Sequence, residues 1–246
     1  MRLAEPFHRA GEHVAIELPG ARAVFTTRRG GSSTGPYASL NLGRFTDDRR
    51  ACVEHNRRLL ELQLGVRFAY GRQVHGTCVR RVVEVPPEPP GPGPADGQAT
   101  ALPGVAPLVL TADCLPIAIA GEGAVAMLHA GWRGLEAGVV AAGVAALREL
   151  GARGSLTAAI GPGAGPCCYE VGDEVRAAFA AFGDRVREGR RLNLKAIAST
   201  ALEQAGVGEV HDAGLCTICS PSLFYSHRRD RGVTGRQAGI AWLCGP

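Results

Sequence analysis

Hydrophobic and polar positions follow two different periods along the chain, and together they predict alternating strands and helices. Short apolar runs bounded by glycine or polar residues are typical of strands. They occur at AVFTTRRGG, FAYGRQVHG, TCVRRVVEV, PLVLTADCLPIAIA, AVAMLHA, SLTAAIGP and GRQAGIAWL. Apolar residues at helical spacing predict helices. They occur in RRACVEHNRRLLELQLG, from Arg133 to Leu150, in VGDEVRAAFAAFG and in LNLKAIASTALEQAG.

The order of these elements predicts an α/β fold. The strand AVAMLHA, the helix that follows it and the strand SLTAAIGP have the order expected of a β-α-β crossover. The Pro- and Gly-rich segment from Pro86 to Gly97 is expected to be a surface loop, because it is too short to separate two domains. We therefore expect a single domain over residues 1–246, with a mixed β-sheet core flanked by helices.

The composition is typical of a soluble globular protein, and its mild basic excess is compatible with an anionic small-molecule substrate but does not require one. Hydrophobic residues make up 46% of the 246 positions, enough for a sizeable core. The net charge of +4 comes from scattered basic residues without interleaved aromatics, which argues against a nucleic-acid partner. No segment reaches the ~18 consecutive apolar residues of a membrane span. These features leave the oligomeric state open, and a monomer is compatible with them.

The cysteines and the N-terminal segment predict a cytoplasmic location. The first residues lack the apolar core of a signal peptide. Eight cysteines occur at irregular spacing, which indicates reduced thiols rather than a disulfide framework. Cys216 and Cys219 form a CxxC pair with no second pair to complete a zinc ribbon, so we expect no special role for them. The adjacent Cys167 and Cys168 match no known ligand spacing.

Three residues with metal-binding or nucleophilic side chains stand at the ends of apolar segments. His75 ends QVH, Cys114 ends TADC, and His129 lies near the end of AVAMLHA. Ends of strands are where α/β sheets commonly bind ligands. Two imidazoles and a thiolate suit a zinc ion with an open fourth position. The same pattern also suits a Cys114 nucleophile with a histidine base oriented by Asp113, or unrelated core and surface roles.

Four further polar residues are candidates for substrate binding. Arg28 and Asn41 flank a glycine-rich loop, Arg57 lies on a predicted helix, and Arg228 follows the hydrogen-bonding run FYSH. Guanidinium groups bind phosphate and carboxylate well. Taken singly, each arginine would more ordinarily be a solvated surface charge.

Taken together, the motifs resemble the YfiH-type family, also labelled the laccase-domain or polyphenol oxidase family. The matching segments are TRRGGSSTGPYASLNLG, QVHG, DGQAT, TADCLPI, HAGWRG, IGPGAGPCCYEVG, LNLKA, FYSHRRD and TGRQAGIAWL. The resemblance runs from about Thr26 to Leu243 and implies an α-β-β-α sandwich. It also implies a zinc site made of His75, Cys114 and His129, with Gly131 allowing the backbone to turn behind His129.

The resemblance implies three different activities. Members are described as purine nucleoside phosphorylases that act on adenosine, inosine and methylthioadenosine and also deaminate adenosine. Others are described as copper-dependent polyphenol oxidases or as peptidoglycan editing factors that act on wall precursors with misincorporated serine. We favour the phosphorylase with zinc over copper, because seven histidines and two methionines without an HxH pair suit no multicopper oxidase. The general acid or base remains open among Asp113, Glu170 and His227.

Overall fold

Two six-stranded β-sheets stacked face to face form the centre of the molecule. The computed structural model describes residues 3–85 and 93–245. The strands are β1 His8–Ala10, β2 His13–Leu18, β3 Ala21–Phe25, β4 Arg67–Ala69, β5 Val79–Val82, β6 Gly97–Thr100, β7 Val105–Thr111, β8 Leu115–Glu122, β9 Ala124–Ala130, β10 Arg153–Ile160, β11 Arg187–Glu188, β12 Arg191–Leu192, β13 Val207–Asp212 and β14 Gln237–Leu243. The helices are α1 Arg50–Leu64, α2 Trp132–Ala137, α3 Val139–Glu149, α4 Asp173–Ala178 and α5 Leu194–Gln204.

Both large sheets mix parallel and antiparallel pairs, as the sequence predicts. The first has the strand order β1-β2-β3-β14-β7-β4, and the second has the order β13-β10-β8-β9-β6-β5. Strand β4 runs parallel to β7, β5 to β6 and β10 to β13. Because β9 and β10 both pair antiparallel with β8, they run parallel to each other. The helices between β9 and β10 therefore form the predicted β-α-β crossover.

Apolar side chains fill three layers, which confirms the α-β-β-α sandwich. Phe25 and Met127 lie between the two sheets and are almost fully buried. Leu60 of α1 packs against Leu108 on the outer face of the first sheet. Leu147 of α3 belongs to the cluster on the outer face of the second sheet. Burial of a side chain of this size contributes about 1.5–3 kcal/mol relative to its exposure to water.

Two of the predicted helices are shorter than expected, because each is interrupted within its predicted range. Helix α1 ends at Gly65, whose φ of 67° closes it as expected. The predicted helix from Arg133 to Leu150 is divided into α2 and α3, because Gly138 adopts a φ of 93°. In VGDEVRAAFAAFG only α4 is α-helical, and a 3-10 segment at Ala180–Val186 follows it.

Two of the predicted strand and loop assignments are wrong in ways that matter for the site. In FAYGRQVHG only β4 is a strand, so His75 lies on a loop rather than at a strand end. Of the predicted surface loop, residues 86–92 lie outside the described residues. Its last part is not a surface loop, because Asp96 is fully buried and Gly97 begins β6. Within residues 3–85 and 93–245, no helix is long and apolar enough to cross a membrane.

Candidate active site

A hairpin of the second sheet brings Cys114 and His129 to the same end of the sandwich. Cys114 comes directly before β8, and His129 is the second-last residue of β9. The register pairs Leu115 with Ala130 and Pro116 with His129, so the two functional side chains lie side by side. The cysteine and one histidine of the predicted site are thus positioned by a single pair of neighbouring strands.

The backbone around this hairpin is shaped by close packing. Gly131 has an extended conformation with φ −79° and ψ 171°, so it is not required for a sharp turn, contrary to expectation. A Cβ atom at Gly131 would lie 3.0 Å from His75 Cδ2 and 3.1 Å from Cys114 Sγ. A side chain at this position would therefore press on both the histidine and the cysteine and displace them by a few tenths of an ångström.

His75 reaches the other two residues from a loop that Asp96 holds in place. The buried Asp96 carboxylate accepts hydrogen bonds from the backbone N–H groups of Val74, His75 and Gly76. His75 itself has a φ of 60°, an uncommon conformation for a residue other than glycine. The loop thereby places His75 Nε2 at 3.8 Å from Cys114 Sγ.

Asp96 also orients the second histidine. His129 Nδ1 and Asp96 Oδ1 are 2.8 Å apart, and both side chains are buried. Because an ionised carboxylate only accepts, the hydrogen bond places a proton on Nδ1. Nε2 is therefore the ring nitrogen that can bind a metal ion, releasing its own proton when it does so. The ligand atoms of His75, Cys114 and His129 all lie within 4.8 Å of one another, and this donor set fits a zinc ion with an open position.

The electrostatics of the site favour an ionised thiol. Burial of Cys114 acts to raise the pKa of its thiol, but the charge of His129 and hydrogen bonds from both histidines outweigh this and lower the pKa to about 6. Burial of His129 acts to lower its pKa, whereas the charge of Cys114 and the hydrogen bond with Asp96 raise it to about 9. An ionised thiolate is what either a metal ligand or a nucleophile requires.

Asp113 anchors the turn that presents Cys114. Its φ of 96° is strained for a residue with a side chain. Its carboxylate accepts hydrogen bonds from Thr217 Oγ1 at 2.7 Å, Ser226 Oγ at 3.0 Å and the backbone N–H of Arg228 at 2.7 Å. The hypothesis that Asp113 orients an imidazole is therefore wrong; Asp96 has that role.

A cavity of about 420 Å³ opens over the two histidines and the cysteine. This volume lies within the range of ordinary small-molecule sites. Five arginines line it together with the two histidines and the cysteine: Arg44, Arg57, Arg72, Arg228 and Arg236. Aromatic side chains line it as well: Phe45, Tyr70 and Tyr169. The cavity therefore combines a candidate metal centre, positive charge and flat apolar surfaces.

The family follows from a comparison with known proteins. The family model described as multi-copper polyphenol oxidoreductase laccase matches residues 22–244 of the chain. This chain belongs to that family. The resemblance to YfiH-type proteins inferred from the motifs is thereby confirmed.

Members of the family with known names or structures resemble the chain over nearly its whole length. A purine nucleoside phosphorylase of Pseudomonas aeruginosa is 42% identical over 90% of this chain and 93% of its own length. Purine nucleoside phosphorylase YfiH of Escherichia coli is 36% identical over 91% of this chain and 94% of its own. The crystal structure of YfiH from Bacillus licheniformis matches with a TM-score of 0.88 at 31% identity, covering 98% of this chain and 100% of that chain.

Two of the four residues predicted to bind substrate line the cavity. Arg228 does so as an exposed side chain. Arg57 does so as a buried one, contrary to the default expectation of a solvated charge. Its Nη1 donates to the carbonyl of Leu42, and its guanidinium lies 4.0 Å from the ring centre of Tyr70. The fold thus positions Arg57 by packing as well as by hydrogen bonding.

Arg28 does not line this cavity, contrary to expectation. It donates to the carbonyls of Pro36, Ala38 and Pro221, and its guanidinium stacks over Tyr225. These contacts hold two loops together, which explains its position away from the cavity.

Asn41 does not line the cavity either. Its buried amide donates to Thr46 and Asp48, and its oxygen accepts from the backbone N–H groups of Gly43 and Arg236. It therefore supports Gly43, Thr46 and Arg236, which line the cavity, instead of facing a ligand itself.

Sequence reasoning missed several residues of the site. Asp96 stands in the family segment DGQAT, and Arg236 stands in TGRQAG, so the motifs contained both without indicating a role. Phe45 lies outside every quoted motif. Of the three candidates for the general acid or base, His227 and Asp113 line the cavity, and Glu170 does not.

Proposed function

We propose that this protein is a zinc-dependent purine nucleoside phosphorylase acting on inosine, adenosine and S-methyl-5′-thioadenosine, with adenosine deamination as a side activity. One observation carries the proposal: His75, Cys114 and His129 line the same cavity as five arginines. Phosphorolysis requires an anion site beside the groups that act on the nucleoside, and this cavity offers both. The names of the two purine nucleoside phosphorylase relatives support the same activity.

The arginines would form the phosphate-binding side of the cavity. Guanidinium groups present paired N–H donors that match phosphate oxygens. Arg57 is held by Leu42 and Tyr70, and Arg236 donates to two backbone carbonyls of its own loop. Side chains fixed in this way lose little conformational entropy when an anion binds. The phosphate-binding side of the cavity is therefore suited to bind phosphate as a co-substrate.

The aromatic residues would form the purine-binding side. Phe45 is 87% exposed at the edge of the cavity, which is unusual for a large apolar side chain. A purine stacked against its ring would remove both apolar faces from water. Tyr70 and Tyr169 line the same cavity, but Arg57 lies over the Tyr70 ring and Arg228 over the Tyr169 ring, so Phe45 is the aromatic residue that we assign to the base.

The chain's own groups would orient the substrate and move the proton. Zinc bound by His75, Cys114 and His129 would supply Lewis-acid chemistry, including activation of water for deamination. Asp113 is fully engaged by its three hydrogen-bond donors. The exposed His227 lines the cavity, so we assign it the proton transfer to the departing purine.

Two other activities implied by the family are less well supported. A multicopper oxidase needs a type 1 copper and a histidine-rich trinuclear cluster. Among the described residues, two groups could hold a metal ion. One contains His75, Cys114 and His129, and the other consists of four cysteines, so neither provides the histidine-rich cluster that a multicopper oxidase needs. Hydrolytic editing of a wall precursor has no use for phosphate as a co-substrate, so phosphate dependence separates it from the proposed reaction.

The decisive experiment is product analysis with inosine in the presence and absence of phosphate. We expect hypoxanthine and ribose 1-phosphate only when phosphate is present, and no product from enzyme stripped of zinc. Adenosine and S-methyl-5′-thioadenosine are assayed in the same way, and inosine formed from adenosine without phosphate reports deamination. Zinc-loaded protein that releases no base from any of the three nucleosides would refute the phosphorylase.

The first expected effect concerns the phosphate side of the cavity. Replacing Arg228 by alanine should raise the KM for phosphate about 10–100-fold, because a hydrogen bond to a charged group contributes ~1.5–3 kcal/mol. The KM for inosine should change little. Arg58→Ala is the matched control, since Arg58 is an exposed residue of α1 that does not line the cavity. Steady-state kinetics at varied phosphate measure the effect, and an unchanged KM for phosphate would exclude Arg228 from the anion site.

The second expected effect concerns the purine side. Replacing Phe45 by alanine should raise the KM for inosine about 5–100-fold, because stacking of a base on an aromatic ring contributes ~1–3 kcal/mol. The KM for phosphate should stay constant. Leu62→Ala removes an apolar side chain of similar exposure from α1 and serves as the control. Equal KM values for the two variants would show that Phe45 does not contact the base.

A further inference from the structure

Four cysteines from two distant loops converge at one point beside the active site. Cys167 and Cys168 lie between β10 and α4, and Cys216 and Cys219 lie between β13 and β14. All four Sγ atoms lie within 4.8 Å of one another. Cys219 Sγ is 2.9 Å from Cys168 Sγ and 3.4 Å from Cys167 Sγ. The sequence contains no second CxxC pair to complete a site with Cys216 and Cys219. In the folded chain, the adjacent cysteines Cys167 and Cys168 take the place of that second pair.

The arrangement of the four sulfur atoms suits a tetrahedral metal. A zinc–sulfur bond of about 2.3 Å places neighbouring sulfurs of a tetrahedron about 3.8 Å apart. The two shortest contacts of Cys219 Sγ, 2.9 and 3.4 Å, lie below that value, and the 4.8 Å that bounds the whole group lies above it, so small shifts of the side chains would bring the sulfurs to tetrahedral spacing. A single disulfide would use two of the sulfurs and give no reason for the convergence of the other two.

The surrounding backbone supports a thiolate cluster. The N–H of Gly165 donates to Cys216 Sγ at 3.2 Å, and the N–H of Cys219 donates to the same sulfur. Such donors stabilise metal-bound thiolates and fix their orientation. A Cβ atom at Gly165 would lie 3.0 Å from Cys216 Cβ and 3.3 Å from Cys167 Sγ, so glycine at this position favours the close approach of the two loops.

We propose that Cys167, Cys168, Cys216 and Cys219 bind a structural zinc ion that joins these two loops. Four protein ligands close the coordination sphere, which distinguishes this site from a catalytic one with an open position. The four thiols release their protons to solvent as the four sulfur–zinc bonds form, and no oxidant or reductant takes part. The site is separate from the His75–Cys114–His129 group and does not depend on the activity proposed for it.

The position of the cluster indicates what the ion would stabilise. Tyr169 directly follows Cys168 and lines the active-site cavity. Thr217 directly follows Cys216 and donates to the Asp113 carboxylate at 2.7 Å. A zinc ion at the cluster therefore fixes one wall of the cavity and the support of the turn that carries Cys114, without contacting a substrate.

Zinc analysis of the purified full-length chain tests this site separately from the first. We expect Cys219→Ser and Cys167→Ser to contain one zinc equivalent per chain less than the wild type. Both side chains are exposed, so their replacement leaves the apolar core intact. Cys244→Ser, another exposed cysteine, should retain the full zinc content. Cys114→Ser should lose only the other equivalent. Equal zinc content in the wild type and in both cluster variants would overturn the proposal.

Two further measurements identify the ligands and exclude a disulfide. Cobalt bound to the Cys114→Ser variant should show the intense visible absorption of a tetrahedral four-thiolate site, and Cys114→Ser/Cys219→Ser should lack it. The wild type, denatured with a chelator and without reductant, should titrate all eight thiols. A count of six that reductant restores to eight would show a disulfide in place of the metal and overturn the proposal.

Discussion

Replacing Cys114 by serine should remove one zinc equivalent per chain and lower kcat/KM for inosine by about 100-fold or more. Loss of a partner that merely orients a metal ligand already costs about 10–100-fold in affinity or activity, and Cys114 belongs to the ligand group itself. A serine hydroxyl has no tendency to ionise in this site, whereas the thiol pKa is lowered to about 6. Zinc analysis and steady-state kinetics on the same preparation measure both effects.

The same variant separates the metal-ligand role from the nucleophile role. Loss of a nucleophile leaves the metal in place, whereas loss of a ligand removes it. Cys52→Ser is the control, because Cys52 is a half-buried cysteine of α1 that does not line the cavity. An inactive Cys114→Ser protein with its full zinc content would assign Cys114 as a nucleophile.

Replacing Asp96 by asparagine should weaken zinc binding about 10–100-fold and lower the free energy of unfolding by about 3–5 kcal/mol, as expected when one partner of a buried ion pair is removed. The carboxylate accepts from three backbone N–H groups and from His129. An amide has a single acceptor oxygen, so its NH₂ group would face donors. Competition with a chelator measures zinc affinity, and urea unfolding measures stability.

Glu61→Gln provides a matched control for Asp96→Asn. The Glu61 carboxylate accepts the backbone N–H of Phe68 at 2.8 Å, and Glu61 does not line the cavity. This variant should keep the zinc affinity of the wild type. An Asp96→Asn protein with unchanged zinc affinity would show that the carboxylate does not orient the ligands.

The layers of the fold could be predicted from the sequence because burial leaves a periodic pattern. The runs in AVAMLHA and SLTAAIGP predicted β9 and β10, and the crossover between them followed from their order. The position of β14 between β3 and β7 could not be predicted. Periodicity reports which face of a strand is buried, and it carries no information about which distant strand will pair with it.

The chemical identity of the site was easier to predict than its substrate contacts. The residue types and contexts of His75, Cys114 and His129 predicted a group that the fold brings together. Arg28 and Arg57 were both predicted to bind substrate, but the contacts made by the folded chain place Arg28 between two loops and Arg57 in the cavity. The four-cysteine cluster could not be predicted either, because its two halves are distant in sequence and are brought together by the pairing of β10 with β13 and by the contacts of the loops that follow these strands.

The β8–β9 hairpin restricts the number of residues that can separate Cys114 from His129 in members of the family. The two strands join at a tight turn, where Gly121 pairs with Ala124 and Gly123 adopts a φ of 90°. One residue inserted or deleted there without a compensating bulge would shift the register and rotate His129 to the opposite face of its strand. Homologues that keep His75, Cys114 and His129 should therefore show length variation elsewhere along the chain, and not in this turn.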